Sequence, residues 1–133
     1  MGAPGIGIQG DPGPSGSAGT NLTSDIAISG HKALVRTATG LANASCDNPA
    51  HMSTVIGVSL NAASPGSPVT VISFGEITEP SWNWTPLLPV FLGLNGLLTQ
   101  IPPTTSGFFS LIIGFAVSAT VLFVSLGVPM ALV

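Results

Sequence analysis

The segment GFFSLIIGFAVSATVLFVSLGVPMALV, Gly107 to Val133, decides the fold. It carries no charge and is long enough to cross a bilayer as one helix. Read at period two, it is a pair of strands. Phe109, Leu111, Ile113, Phe115 and Val117 fall on one face, with Ser110, Gly114, Ala116 and Ser118 mostly on the other. The second half alternates through Leu122, Val124, Leu126 and Val128, and SAT (118–120) between the halves suits a hairpin loop. No Lys or Arg flanks either end to set a membrane orientation. The strand reading leads, and a transmembrane helix over 107–133 stays as its rival.

An internal repeat extends the strand reading outward. LVRTATGLANAS, from Leu34, is answered by VFLGLNGLLTQI, from Val90, with Gly40 and Gly96 as the turn glycines. VIGVSL, from Val55, is answered by IIGFAV, from Ile112, with Gly57 opposite Gly114. VTVISFGEI, from Val69, is answered by VLFVSLGVP, from Val121, with Gly75 opposite Gly127. Because the first copy of the hydrophobic segment contains Pro65, Gly66 and Pro68, it cannot be a continuous helix. The order is kept while the loops differ, which predicts two similar four-strand units, about 31–77 and 88–133, joined by a linker rich in Trp and Pro. Expected strands are 33–37, 41–44, 54–60, 69–74, 90–92, 97–101, 109–117 and 121–126.

The opening stretch GIGIQGDPGPSGSAGT, Gly5 to Thr20, matches G-x-G-x-x-G, but no strand precedes it and Pro12 and Pro14 forbid a following helix. Phosphate binding is set aside. Gly7, Gly10, Gly13, Gly16 and Gly19 hold a three-residue register, the condition for three polyproline chains to share an axis. A flexible linker is the competing reading. If the tract is collagen-like, it is too short to trimerise alone and needs a threefold domain behind it. Residues 1–20 are then a stem or anchor peptide, 21–30 a connector and 31–133 the β domain.

The chain of 133 residues has two basic residues, Lys32 and Arg36, and five acidic ones, Asp11, Asp25, Asp47, Glu76 and Glu79. No cationic cluster exists to replace phosphate counterions, which excludes nucleic acid as a partner. So little charge requires apolar surface to be covered by lipid or by another subunit. Cys46 is the single cysteine, so no intrachain disulfide forms, and the N-terminus lacks the charged and apolar regions of a signal peptide. The sequons at Asn21, Asn43 and Asn83 are read as chance in a Ser/Thr-rich chain.

Chemistry-bearing residues are sparse. Cys46, Asp47 and His51 in SCDNPAH, with His31 farther back, offer too few ligands at the wrong spacing for zinc, and a polar turn at Asn48-Pro49 explains them. Glu76 and Glu79 share one loop and read as solvated charges. Trp82 and Trp84, two apart in PSWNWTP, could stack on a sugar or a partner; the blander reading has them covering the end of the β core. No nucleophile, base and oxyanion site come together, so neither an enzyme nor a metal or cofactor is expected.

With the G-x-y tract ahead of it, the run DNPAHMSTVIGVSLNAASPGSPVTVISFGEITEPSWNWTP followed by PVFLGLNGLLTQIPP resembles small fibre or head-decoration proteins of tailed bacteriophages and prophages. The resemblance implies a homotrimeric module on the virion surface, made in the host cytoplasm and attached through its N-terminal segment to capsid or tail proteins. The expectation is an all-β chain: a pseudo-repeated β-sandwich or barrel behind a short collagen-like segment, assembled as a trimer. Its rivals are a membrane-anchored surface protein and a carbohydrate-binding module using Trp82 and Trp84 on a host-surface glycan.

Overall fold

The structure, a computed structural model, describes residues 19–133. Within them the chain is all-β, with strands β1 Gly19–Thr23, β2 Ala33–Arg36, β3 Leu41–Asn43, β4 Val55–Ser59, β5 Pro68–Ile72, β6 Phe74–Thr78, β7 Pro89–Leu92, β8 Leu98–Thr99, β9 Phe109–Ser110, β10 Ile112–Ser118, β11 Val121–Ser125 and β12 Met130–Ala131. The segment 107–133 is therefore four strands and no helix. Among the described residues no helix is long and apolar enough to cross a membrane.

Two five-stranded antiparallel sheets form, in the orders β1-β5-β4-β2-β3 and β6-β11-β10-β7-β8, and β9 pairs separately with β12. The two orders are one topology. In each, the first strand lies at one edge, the next two make a hairpin at the other, and the last two fill the middle. The unit is thus five strands where the sequence suggests four. β1 takes up Gly19 to Thr23, the end of the stem and the start of the connector, because it completes the free edge of β5 through pairs such as Leu22 with Val69. β6 leaves the first sheet after one residue, Ser73, and pairs along β11. Nothing in VISFGEI is a turn signal, so the expected strand 69–74 runs unbroken through this change of layer.

Both units carry the same irregularity. Leu34 pairs with Gly57 and Val35 with Val55, leaving Ile56 as an extra residue in β4. Val90 pairs with Gly114 and Phe91 with Ile112, leaving Ile113 extra in β10. These are β-bulges at matching glycines. A Cβ on Gly57 would strike the carbonyl oxygen of Ile72, and one on Gly114 that of Phe123, so only glycine lets β5 and β11 close up.

The bulge decides which side chains face inward. In the first sheet Ala33, Val35, Val58 and Ile72 enter the core between the sheets, while Leu34, Val69 and Val71 point the other way into a smaller cluster. In the second sheet Val90, Ile113, Leu122 and Val124 enter the shared core. Matching the units through the paired glycines makes Leu34 the counterpart of Val90 and Val35 that of Phe91. Val58, paired with Ile72, corresponds to Phe115, paired with Phe123. The inward face of the second sheet is therefore the counterpart of the outer face of the first. The sheets stack facing the same way, as successive layers, and are not related by a twofold axis between them.

Each layer carries its connector on the same side. Residues 24–30 fold over the outer face of the first sheet, where Ile28 is buried and exchanges backbone hydrogen bonds of 2.8 Å with Ala63. Residues 79–88 of the second layer run toward the first sheet, placing Trp82 and Trp84 against the shared core. At one corner the layers are joined: Cys46 N–H donates to Gly93 O (3.0 Å), Phe109 N–H to Cys46 O (2.9 Å) and Ala33 N–H to Gly96 O (2.9 Å).

Candidate functional site

The sequence IIGFAV in β10 alternates strictly on paper, which puts Phe115 and Val117 with Ile113 in the core. The structure reverses this. The bulge at Ile113 and Gly114 resets the period, and a one-residue slip moves every following side chain to the other face. Ile113 is fully buried, whereas Ile112, Phe115 and Val117 are 41%, 39% and 39% exposed. In β11, Leu122 and Val124 are buried and Phe123 stands on the outer side directly opposite Phe115. Phe74, from β6, is 51% exposed and meets Phe123 edge-on with ring centroids 5.0 Å apart; Phe115 and Phe123 are 5.5 Å apart. Phe91 in β7 pairs with Ile112 and extends the same face.

The outer face of the second sheet is thus a row of phenylalanines flanked by aliphatic side chains. Of the five strands that make it, Glu76 is the single charged residue, and the chain has no charged residue after Glu79. At about 200 Å² per phenylalanine and somewhat less for Ile and Val, the four exposed side chains leave roughly 300 Å² of apolar surface open. A contiguous patch of this size is comparable to the largest apolar patch that a soluble monomer ordinarily carries. Sequence reading misses this face because the bulge, which exposes it, has no signal beyond a glycine inside a strand.

Trp82 and Trp84 are half-buried against the core, with ring centroids 5.4 Å apart, and His31 meets Trp82 at 5.2 Å. The turn that places them is closed by Trp82 N–H donating to Glu79 O at 3.0 Å, while Trp84 N–H donates to Ala119 O at 2.9 Å. The indole N–H of Trp84 is buried without an acceptor among the described residues. Much of both rings is therefore spent on the end of the core, and less is left for a glycan. Glu79 lies 3.7 Å from His31 and accepts from Ser81 N–H at 3.0 Å. Its bonds to Ser81, aided by His31, hold its carboxyl below the usual carboxylate range.

Glu76 stands on the phenylalanine face and Glu79 at the turn, so the two carboxylates are not brought together as an acid and base pair. The SCDNPAH loop is bound into the corner. Ser45 N–H donates to His51 Nδ1 (3.0 Å), Ser45 Oγ–H to Asp47 (2.6 Å), and Asn95 N–H to Ser45 Oγ (3.1 Å). Asn48 caps the short 3₁₀ turn Pro49–His51 by accepting from Ala50 N–H at 3.0 Å. Cys46 is buried, and burial together with Asp47 pushes its thiol pKa up, away from the reactive thiolate. Among the described residues no three His, Cys, Asp or Glu side chains gather as a metal site.

Asp25 has a structural task. Thr37 Oγ1 and Thr39 Oγ1 (2.8 Å) donate to it, fastening the connector to the β2–β3 turn and lowering its pKa. Of the stem glycines, Gly7, Gly10, Gly13 and Gly16 lie outside the described residues. Gly19 opens β1 and pairs with Ile72, so it belongs to the sheet and not to a stem. No protein-family model, curated protein or solved structure matches the chain.

Proposed function

We propose that this chain is a non-enzymatic structural protein of a bacteriophage particle, a homotrimeric β module on the virion surface held by its N-terminal segment. The observation that carries the reading is the phenylalanine face left exposed by the described residues, on a chain with so few charges. A surface of this kind is stable in water when another protein surface covers it. The glycine register of Gly7, Gly10, Gly13 and Gly16 agrees with three chains, and the residues of the phage resemblance, 47–86 and 89–103, hold β4 to β8, five of the ten strands of the two sheets. Among the described residues no three His, Cys, Asp or Glu side chains gather at one place.

The direct test has two parts. Light scattering after size exclusion of detergent-free protein should give the mass of three chains, and mass spectrometry of gradient-purified phage particles carrying the gene should find the protein in stoichiometric amount. A monomer in solution, together with absence from the particles, overturns the reading.

A further inference from the structure

We propose that Asn95 is a site of spontaneous deamidation: the corner between the layers withholds the reaction while it is closed, and the isoaspartate product keeps the corner open. Asn95 and Gly96 turn the chain between β7 and β8 with φ of +51° and +81°. Among residues with a side chain, Asn and Asp enter this left-handed region most readily. At Gly96 a Cβ would lie 3.1 Å from Lys32 Cβ and 3.2 Å from Ala33 O, in a conformation that side chains rarely adopt, so glycine is required there. The turn therefore holds the one pair in which the backbone nitrogen after an asparagine is least shielded, since glycine has no side chain to stand in its way. Asn95 is exposed, so water and base reach its carboxamide.

In the reaction the Gly96 nitrogen gives its proton to base and attacks Asn95 Cγ. A new C–N bond forms, the carboxamide C–N bond breaks, and the departing nitrogen takes up a proton and leaves as ammonia. Water then opens the five-membered imide to aspartate or to isoaspartate, whose main chain runs through the former side chain. The corner opposes the first step. Gly96 N–H donates to Ala44 O, Gly96 O accepts from Ala33 N–H (2.9 Å), and Asn95 N–H donates to Ser45 Oγ (3.1 Å). The nitrogen attacks only when these bonds open, and breaking three of them slows the native chain by about 100-fold relative to the unfolded one. Aspartate fits the same turn. Isoaspartate places an extra carbon between Asn95 Cα and Gly96 N, so the two residues cannot both keep their partners in the first layer. Cys46, buried at this corner with its N–H on Gly93 O (3.0 Å), is then uncovered.

The full chain is incubated at mildly alkaline pH in buffer and in unfolding urea, and peptide mapping by mass spectrometry follows each asparagine with time. Asn61 and Asn83, exposed and followed by Ala and Trp, are internal controls. Expected in urea is conversion at Asn95 well ahead of both controls, with isoaspartate among the products; in buffer it is slower by the factor above. Ser45→Ala removes the acceptor of Asn95 N–H and should speed conversion in buffer but not in urea. If that variant does not fold, the wild-type comparison of buffer with urea decides alone. Protein aged until Asn95 has converted should label at Cys46 with a thiol reagent faster than fresh protein, while Asn95→Asp labels as slowly as fresh protein. Equal rates at Asn95 in buffer and urea, or an unchanged rate in folded Ser45→Ala, refute protection by the corner. Conversion in urea no faster than at Asn61 and Asn83 refutes the site, and aged protein with Cys46 as unreactive as before refutes the opened corner.

Discussion

Three glycines separate the two reasons why a backbone position can demand glycine, and their replacement by alanine tests the bulge geometry. Gly66 has φ +85° with nothing within 4 Å of an added Cβ. Gly114 is not in the positive-φ region, but its Cβ would lie inside the contact distance of Phe123 O, with Phe123 C at 2.9 Å and Val124 Cα at 3.0 Å. Gly57 has both problems, φ +152° and a Cβ against Ile72 O. Torsional strain for an alanine at positive φ is about 1–2 kcal/mol, partly offset by about 0.4–1 kcal/mol from a less flexible unfolded chain. Gly66→Ala therefore loses about 1 kcal/mol. At Gly114 the obstructing atoms are backbone, so β11 must move. Two ladder hydrogen bonds at about 1 kcal/mol each, plus about 1 kcal/mol of core displacement, give about 3 kcal/mol. Gly57→Ala combines the terms at about 4 kcal/mol. For a chain of this length each kcal/mol is about 4 °C in Tm, so the drops are about 4, 12 and 16 °C by far-ultraviolet circular dichroism at one fixed concentration. If Gly114→Ala melts within about 2 °C of wild type, or Gly66→Ala falls as far as Gly57→Ala, the assignment of a close-packed bulge is refuted.

Adjacent isoleucines give a second test of the same bulge. Ile113→Ala should cost about 2–5 kcal/mol in urea unfolding, whereas Ile112→Ala should change unfolding of the isolated chain by less than about 1 kcal/mol; equal effects would mean that the faces are misassigned. Cys46 should resist a thiol reagent such as dithionitrobenzoate at neutral pH and react once the chain is unfolded, and prompt labelling of the native protein would contradict its burial. The folded pKa of Asp25 is lowered, so its stabilisation is complete above the unfolded value and is lost as pH falls through the folded one. Acid unfolding of Asp25→Asn should therefore show a shallower pH dependence than wild type below the ordinary carboxylate range, with identical slopes counting against the Thr37 and Thr39 contacts.

Much of the strand layout is legible in the sequence because the cues are local. Gly40, Gly57, Gly96 and Gly114 punctuate short β-branched runs, and the bridging segments between them fall close to the observed β2, β3, β4, β7 and β11. The facing of the sheets is not legible. Aligning VTVISFGEI with VLFVSLGVP sets Ile72 against Val124, two core residues, and suggests that both units turn the same face inward. The pairing sets Ile72 against Phe123, one residue away, and inverts the conclusion. Period-two patterns carry no protection against a slip of one. GTNLT, with one apolar side chain, gives no strand signal at all, because β1 is held by its ladder to β5 more than by burial.

The same inversion explains how an apolar, uncharged half-chain can be part of a folded unit and yet keep one face unfilled. Had the layers faced each other, both bulged strands would have sent Phe115 and its counterpart Val58 into one core, and Val90, Ile113, Leu122 and Val124 would have been left outside. Stacked in series, the layers bury one face of the kind carrying Val58 and leave the other at the end of the stack. Stacked repeats ordinarily finish in a polar or covered end. This chain covers the first end with residues 24–30 and leaves the second with Phe74, Phe115 and Phe123 in contact with one another. Clustering of the rings lowers the exposed area without removing it, and it makes a preformed, rigid surface that loses little side-chain freedom when covered.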